Sequence, residues 1–79
     1  MDKQKFLENV TKQFVDADKI SLTLSTDFKN IESYDSLIGM AITVMIKDIY
    51  GVDMSISEYK SQETIENLFE LVESKIIDE

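Results

Sequence analysis

Ser36 is the residue best placed for chemistry, because it follows Asp35 at the start of an apolar stretch that ends at Gly51. Aspartate is a strong helix N-cap, since its carboxylate accepts hydrogen bonds from free N–H groups of the first turn. A glycine just past a helix supplies the left-handed residue that ends it. The sequence therefore predicts a helix over residues 35–51. Ser36 lies in its first turn, where a helix best holds a phosphate group.

The residue types that are missing limit what Ser36 can do. The chain has no histidine, cysteine or arginine, so the commonest general base and metal ligand is absent. Without a base beside it, a serine is a poor nucleophile. Asp16 and Asp18 have the spacing of a calcium loop, but Ile20 stands where a third oxygen ligand belongs. We expect neither an enzyme nor a metal site, and any reaction at Ser36 needs activation by another protein.

The charge of the chain restricts its partners. The formal net charge is −8, which argues against nucleic acid and anionic membranes. No apolar run approaches the roughly 20 residues of a membrane span, and the polar N-terminus is unlike a signal peptide. These features predict a soluble, cytoplasmic monomer.

Four helical segments are predicted to position Ser36. Apolar residues recur at helical spacing over residues 2–15 and again over 63–77. Residues 52–62 hold a turn and a short helix, while residues 16–34 lack a period and read as a long ordered loop. The predicted fold is all-α: a four-helix bundle with three longer helices, one short helix and a long loop between the first and second. The 79 residues make one domain, 1–79.

Two details support this arrangement. Ser55 followed by Glu58 three residues later is the signature of a capping box, which predicts the start of the short helix. Tyr59 is expected to be the inward-facing residue of that helix. In the long loop, apolar side chains are expected to pin the segment across the helices: Ile20, Leu22, Leu24 and Phe28.

The tripeptide formed by Asp35, Ser36 and Leu37 resembles the Asp-Ser-Leu signature of acyl carrier proteins. The resemblance extends over the whole chain, in its length, its acidity and its order of helices. Tyr50-Gly51-Val52 is similar to the end of the family's second helix, and Thr64–Leu68 to the beginning of its last helix.

The resemblance implies a carrier that is modified by a phosphopantetheinyl transferase. Ser36 would carry a covalent 4′-phosphopantetheine group, with Asp35 and Leu37 beside it. Acyl intermediates bound as thioesters would be presented to enzymes such as a ketosynthase or acyltransferase, in fatty acid or related biosynthesis (polyketide-like or specialised lipid). The expected lining of an acyl cavity consists of Met40, Val44, Ile46, Tyr59 and Ile65.

The second helix departs from the common pattern of the family. Typical fatty-acid carriers have acidic residues along this helix, where basic partner enzymes dock. Here the expected docking positions are Ile38, Ala41, Lys47, Asp48 and Ile49, with Asp48 the one acid. This predicts a specialised carrier with a more apolar docking face.

Two other functions stay open from the sequence. The first is a carrier of aminoacyl or peptidyl groups, against which the acidic composition argues. The second is an unmodified helical interaction domain, in which Asp35 and Ser36 only cap a helix.

Overall fold

Four α-helices form the fold of this computed structural model, which describes residues 2–77. They are α1 (Lys3–Thr11), α2 (Ser36–Met45), α3 (Ile56–Lys60) and α4 (Ile65–Ile77). A π-helical turn over Ile46–Tyr50, here called the π-turn, extends α2 directly. No strand occurs within the described residues, and the prediction of an all-α fold with one short helix is confirmed.

Helix α1 is shorter than the predicted 2–15. It begins with Asp2, whose carboxylate accepts hydrogen bonds from the N–H groups of Gln4 and Lys5. After Thr11 the chain continues in tight turns, with the N–H of Phe14 donating to the carbonyl of Thr11 at 3.1 Å. Phe14 is still buried, so the apolar stripe continues into the core after the helix has ended.

Both predicted ends of the second helix are confirmed. The carboxylate of Asp35 accepts a hydrogen bond from the N–H of Ile38 at 2.9 Å. Gly51 adopts the left-handed conformation with φ of 69°, and its N–H donates to the carbonyl of Lys47 at 3.0 Å. The π-turn was not predicted. It ends at Tyr50, the residue before Gly51. The Tyr50 hydroxyl accepts a hydrogen bond from the Asn9 side chain of α1 at 3.0 Å.

The long loop between α1 and α2 is fastened at several points. A 3-10 turn over Phe28–Asn30 buries the Phe28 ring completely. The carbonyls of Leu24 and Thr26 accept hydrogen bonds from the N–H groups of Glu66 and Ile65, at 2.8 and 3.3 Å. These two loop carbonyls therefore satisfy N–H groups at the start of α4, which have no partners within their own helix.

Nearby, the carboxylate of Asp16 accepts a hydrogen bond from the Ser33 hydroxyl at 2.9 Å, so Asp16 joins the two ends of the loop. Within residues 2–77 no group of three or more acidic side chains is placed to bind a metal ion.

One apolar core lies between the helices and the loop. Its completely or almost completely buried side chains come from every α-helix except α3, and from the loop and the π-turn: Phe6, Val10, Phe28, Ile42, Ile46, Ile65, Leu68, Phe69 and Val72. None of the helices within the described residues is long and apolar enough to cross a membrane.

The predicted capping box at α3 is present. The Ser55 hydroxyl accepts a hydrogen bond from the N–H of Glu58, and the Glu58 carboxylate accepts one from the N–H of Ser55. Glu58 also pairs with Lys75 of α4 at 2.7 Å, which ties the short helix to the last one. As expected, Tyr59 faces inward.

Candidate functional site

Ser36 is the first residue of α2, and it is exposed. The carboxylate of Asp35, the preceding residue, caps the helix by accepting the hydrogen bond from the N–H of Ile38. The Asp35 carbonyl accepts the first helical hydrogen bond, from the N–H of Gly39 at 3.0 Å. Leu37 is 72% exposed. A Ser36 hydroxyl in this place is accessible to a modifying enzyme and lies at the positive end of the helix.

A groove of about 790 Å³ lies between α2 and α3 and contains Ser36 in its wall. We call it the α2–α3 groove. It is lined by Lys29, Tyr34, Asp35, Ser36, Gly39, Met40, Thr43, Met54, Ile56, Tyr59 and Lys60. Its lining combines apolar walls from Met40, Met54 and Ile56 with polar groups from tyrosine, threonine and lysine.

Two tyrosine hydroxyls meet against α2 in this groove. The Oη atoms of Tyr34 and Tyr59 are hydrogen-bonded at 2.9 Å. Tyr34 reaches this position because Gly39 has no side chain: a Cβ there would lie 2.5 Å from the Tyr34 Oη. Burial raises the pKa of the Tyr59 phenol, and the hydrogen bond to Tyr34 raises it further. Tyr59 is therefore a neutral phenol at physiological pH.

Lys29 approaches the same tyrosine. Its Nζ donates a hydrogen bond to the Tyr59 carbonyl at 2.7 Å and lies 4.6 Å from the centre of the Tyr59 ring. Partial burial lowers the pKa of Lys29, against the opposing influence of Asp27 and Glu63. Lys60 is an exposed second lysine of the groove.

The structure brings together only part of the predicted cavity lining. Met40 and Tyr59 line the α2–α3 groove. Val44 does not line it and is 52% exposed, whereas Ile46 and Ile65 are completely buried in the core. For Val44 and Ile46 the reason is that the second helix is apolar nearly all the way round, so its sequence gives no clear inward face. Ile65 belongs to the apolar side of α4 that packs into the core.

The predicted docking positions differ in how exposed they are to solvent. Ile38 is only 4% exposed, so its side chain lies in the core and is not available to a partner. Ala41 is half-buried, while Asp48 and Ile49 are exposed. Lys47 is exposed and pairs with Asp53 at 2.9 Å.

An apolar surface on α2 was not predicted as a whole. It consists of the exposed residues Leu37, Met40 and Val44 and the half-buried Ala41, and we call it the α2 face. Leu37, Met40 and Val44 are 72%, 62% and 52% exposed. The four residues follow the spacing i, i+3, i+4 and i+7, which places them on one side of a helix.

Other groove residues were also missed from the sequence: Lys29, Tyr34, Gly39, Thr43, Met54, Ile56 and Lys60. One signal for them exists. Gly39 stands alone inside a helical pattern, which indicates a close packing contact or a functional reason.

The residues present fit a phosphodiester-linked arm. Ser36 offers an exposed hydroxyl beside first-turn N–H groups, and the α2–α3 groove begins at the same residue. When bound, a 4′-phosphopantetheine group supplies the thiol that this chain, without cysteine, does not have.

Comparison with known proteins identifies the family. The family model described as "Phosphopantetheine attachment site" matches residues 5–72. The chain is 32% identical over 78 residues to "Polyketide-8 synthase acyl carrier protein 2" of Streptomyces avermitilis, an alignment that covers 99% of this chain and 88% of that protein. Members of this family bear a covalent 4′-phosphopantetheine group and act as carriers rather than catalysts. The chain belongs to this family and is an acyl carrier protein.

Proposed function

We propose that this chain carries acyl intermediates as thioesters on a 4′-phosphopantetheine arm attached to Ser36. The observation that carries the proposal is the position of Ser36, exposed at the first residue of α2 and in the wall of the α2–α3 groove. An arm attached there begins next to a groove whose walls are partly apolar, from Met40, Met54 and Ile56. The groove takes the place of the cavity that the sequence predicted.

The pathway we propose is polyketide-type or related specialised lipid biosynthesis rather than general fatty acid synthesis. Its support is the similarity to the polyketide synthase acyl carrier protein of Streptomyces avermitilis and the absence of acidic residues from the whole of α2, Ser36–Met45. The whole of residues 1–79 is proposed to act as one carrier domain, in the cytoplasm, where coenzyme A and the transferase are available.

We further propose that partner enzymes, such as a ketosynthase or acyltransferase, dock on the α2 face and on the exposed residues Lys47, Asp48 and Ile49. Exposed apolar side chains gain free energy when a partner covers them. Because the face has no charged residue of its own, it contributes affinity without strong electrostatic steering.

The test of attachment is intact-mass measurement after incubation with coenzyme A, Mg²⁺ and a phosphopantetheinyl transferase. The wild type should gain the mass of one phosphopantetheine unit, and Ser36→Ala should gain none. Ser57→Ala is the matched control, since Ser57 is an exposed serine in the first turn of α3. It should be labelled like the wild type.

Ser36→Ala should still fold, because an exposed residue outside the core costs at most about 1 kcal/mol when it is replaced. Circular dichroism checks this. A folded Ser36→Ala variant that is still labelled contradicts the assignment, as does a wild type that gains no mass.

A further inference from the structure

The hydroxyl pair of Tyr34 and Tyr59 has a hydrogen-bonding capacity that the protein does not use. A phenol has one proton to donate, so two hydroxyls joined by one hydrogen bond leave one proton over. Neither hydroxyl has another protein partner among residues 2–77. Both tyrosines line the α2–α3 groove, where the remaining proton is available to a ligand.

The apolar surroundings of the tyrosine pair strengthen a hydrogen bond donated to a ligand. Met40, Met54 and Ile56 form apolar walls around it, and a hydrogen bond gains strength where water is partly excluded. Burial and the Tyr34 hydroxyl also raise the pKa of Tyr59. This phenol therefore stays protonated at physiological pH.

The two tyrosines also lie between the α2–α3 groove and the buried core. The Phe28 ring packs against both tyrosine rings, with centroid distances of 6.0 Å to Tyr34 and 6.1 Å to Tyr59. Phe28 is itself completely buried. An acyl chain that enters the groove from Ser36 thus meets two hydroxyls backed by a packed aromatic cluster.

From this arrangement we propose that Tyr34 and Tyr59 select the cargo of the α2–α3 groove: they favour an acyl chain that bears a carbonyl or hydroxyl oxygen over a saturated chain, by donating a hydrogen bond to that oxygen. They also stop the chain at the groove and keep it out of the bundle interior. This inference rests on the proposed attachment at Ser36. A net hydrogen bond between neutral groups corresponds to a preference of about fivefold.

The experiment compares two cargoes of equal length on the intact protein. The transferase loads 3-oxooctanoyl or octanoyl phosphopantetheine from the matching coenzyme A thioesters, and intact mass confirms loading. Excess dithiothreitol then cleaves the thioester by thiol exchange. The rate for the free coenzyme A thioester is divided by the rate for the loaded protein, which removes the difference in intrinsic reactivity between the two cargoes. The quotient is the protection of each cargo.

The informative variant carries Tyr34→Phe and Tyr59→Phe together. A single substitution leaves one hydroxyl with a proton to donate, whereas the double variant removes both and retains the rings. Loss of both partners of a hydrogen bond can be nearly neutral for folding. Tyr50→Phe is the matched control, because the Tyr50 hydroxyl contacts Asn9 outside the groove.

We expect the ratio of 3-oxooctanoyl to octanoyl protection to fall about fivefold in the double variant and to stay unchanged in Tyr50→Phe. A ¹³C label at the 3-oxo carbon gives a second measurement. Its resonance should lie downfield in the wild type and return in the double variant to its position in the free thioester.

Two results overturn the proposal: no protection of either cargo in the wild type, or an unchanged protection ratio and carbonyl resonance in the double variant. A wild type that gains no mass in the loading step speaks instead against attachment at Ser36. The two failures are therefore distinguishable.

Discussion

Replacing Gly39 by alanine tests the packing of the groove against α2. A Cβ at position 39 would lie 2.5 Å from the Tyr34 Oη, a distance that real contacts do not tolerate. The Tyr34 ring must move, and its hydrogen bond to Tyr59 must lengthen or break. The next atoms, Tyr34 Cζ at 3.4 Å and Tyr59 Cε2 at 3.6 Å, lie at ordinary contact distances. The conflict is therefore with one oxygen atom.

The magnitude follows from two opposing effects. Overpacking in a packed site costs about 1–3 kcal/mol, whereas alanine is favoured over glycine inside a helix by about 1 kcal/mol. We expect Gly39→Ala to lower the free energy of unfolding by about 1 kcal/mol. For a domain of this size such a loss lowers the melting temperature by roughly 4–8 °C.

In a Tyr34→Phe background the effect should change sign. The oxygen is gone, so the new methyl group meets only ordinary contacts, and the helix propensity of alanine should stabilise the chain by about 1 kcal/mol. The coupling energy between positions 34 and 39 should accordingly be about 2 kcal/mol, well beyond the additivity expected of independent sites.

Urea unfolding of the wild type, both single variants and the double variant measures this coupling. Gly51→Ala serves as the matched control: position 51 has open space around it but a φ of 69°, so alanine there is strained whatever residue 34 is. Its cost should be the same in both backgrounds. If Gly39→Ala has equal effects with and without the Tyr34 hydroxyl, the proposed contact does not govern this site.

Three further predictions concern charge. Residues 52–79 contain eight acids and two lysines, so moderate NaCl should raise the melting temperature by screening repulsion; a flat or falling value would speak against this. Ala41→Glu with Lys47→Glu should speed turnover by a generic fatty-acid ketosynthase whose surface is basic. The same pair should slow turnover by the dedicated partner, because a charge facing an apolar patch loses its solvation. If the side-by-side rates do not change with either enzyme, α2 is not part of the docking surface. Hydrogen bonds from the Lys75 side chain and the Ser55 backbone hold the pKa of Glu58 below its ordinary 4.5. Glu58 therefore stabilises the fold above pH 4.5, and this stabilisation is lost as the pH falls through the lowered pKa of the folded state. The difference in melting temperature between wild type and Glu58→Gln should shrink below about pH 4.5, and a difference that stays constant with pH would disprove the contribution.

Local signals were sufficient to predict the ends of the second helix and the start of the third. Asp35, Gly51 and the pair of Ser55 and Glu58 act through neighbours in the chain, and their residue types are sufficient to assign them. The π-turn has no such signal among its neighbours in the chain, and the hydrogen bond that Tyr50 accepts comes from Asn9, 41 positions away.

The site was harder to predict than the fold. The position of Ser36 followed from its cap, but the faces of α2 did not follow from its pattern. A helix with a polar side shows in its sequence which residues face the core. In α2, buried Ile38 and exposed Leu37 are equally apolar, and only their neighbours in space distinguish them. The groove likewise depends on Tyr34 of the loop and Tyr59 of α3, which are far apart in the chain.

The two loop carbonyls at Leu24 and Thr26 also have a consequence for how the chain is made. They accept hydrogen bonds from residues 65 and 66, which a ribosome adds roughly 40 residues later. Until then these carbonyls must remain hydrated, because an unpaired backbone group cannot be buried cheaply. The loop that positions Tyr34 is consequently not locked when α2 is complete. A nascent chain acquires its finished groove only when its last helix has emerged.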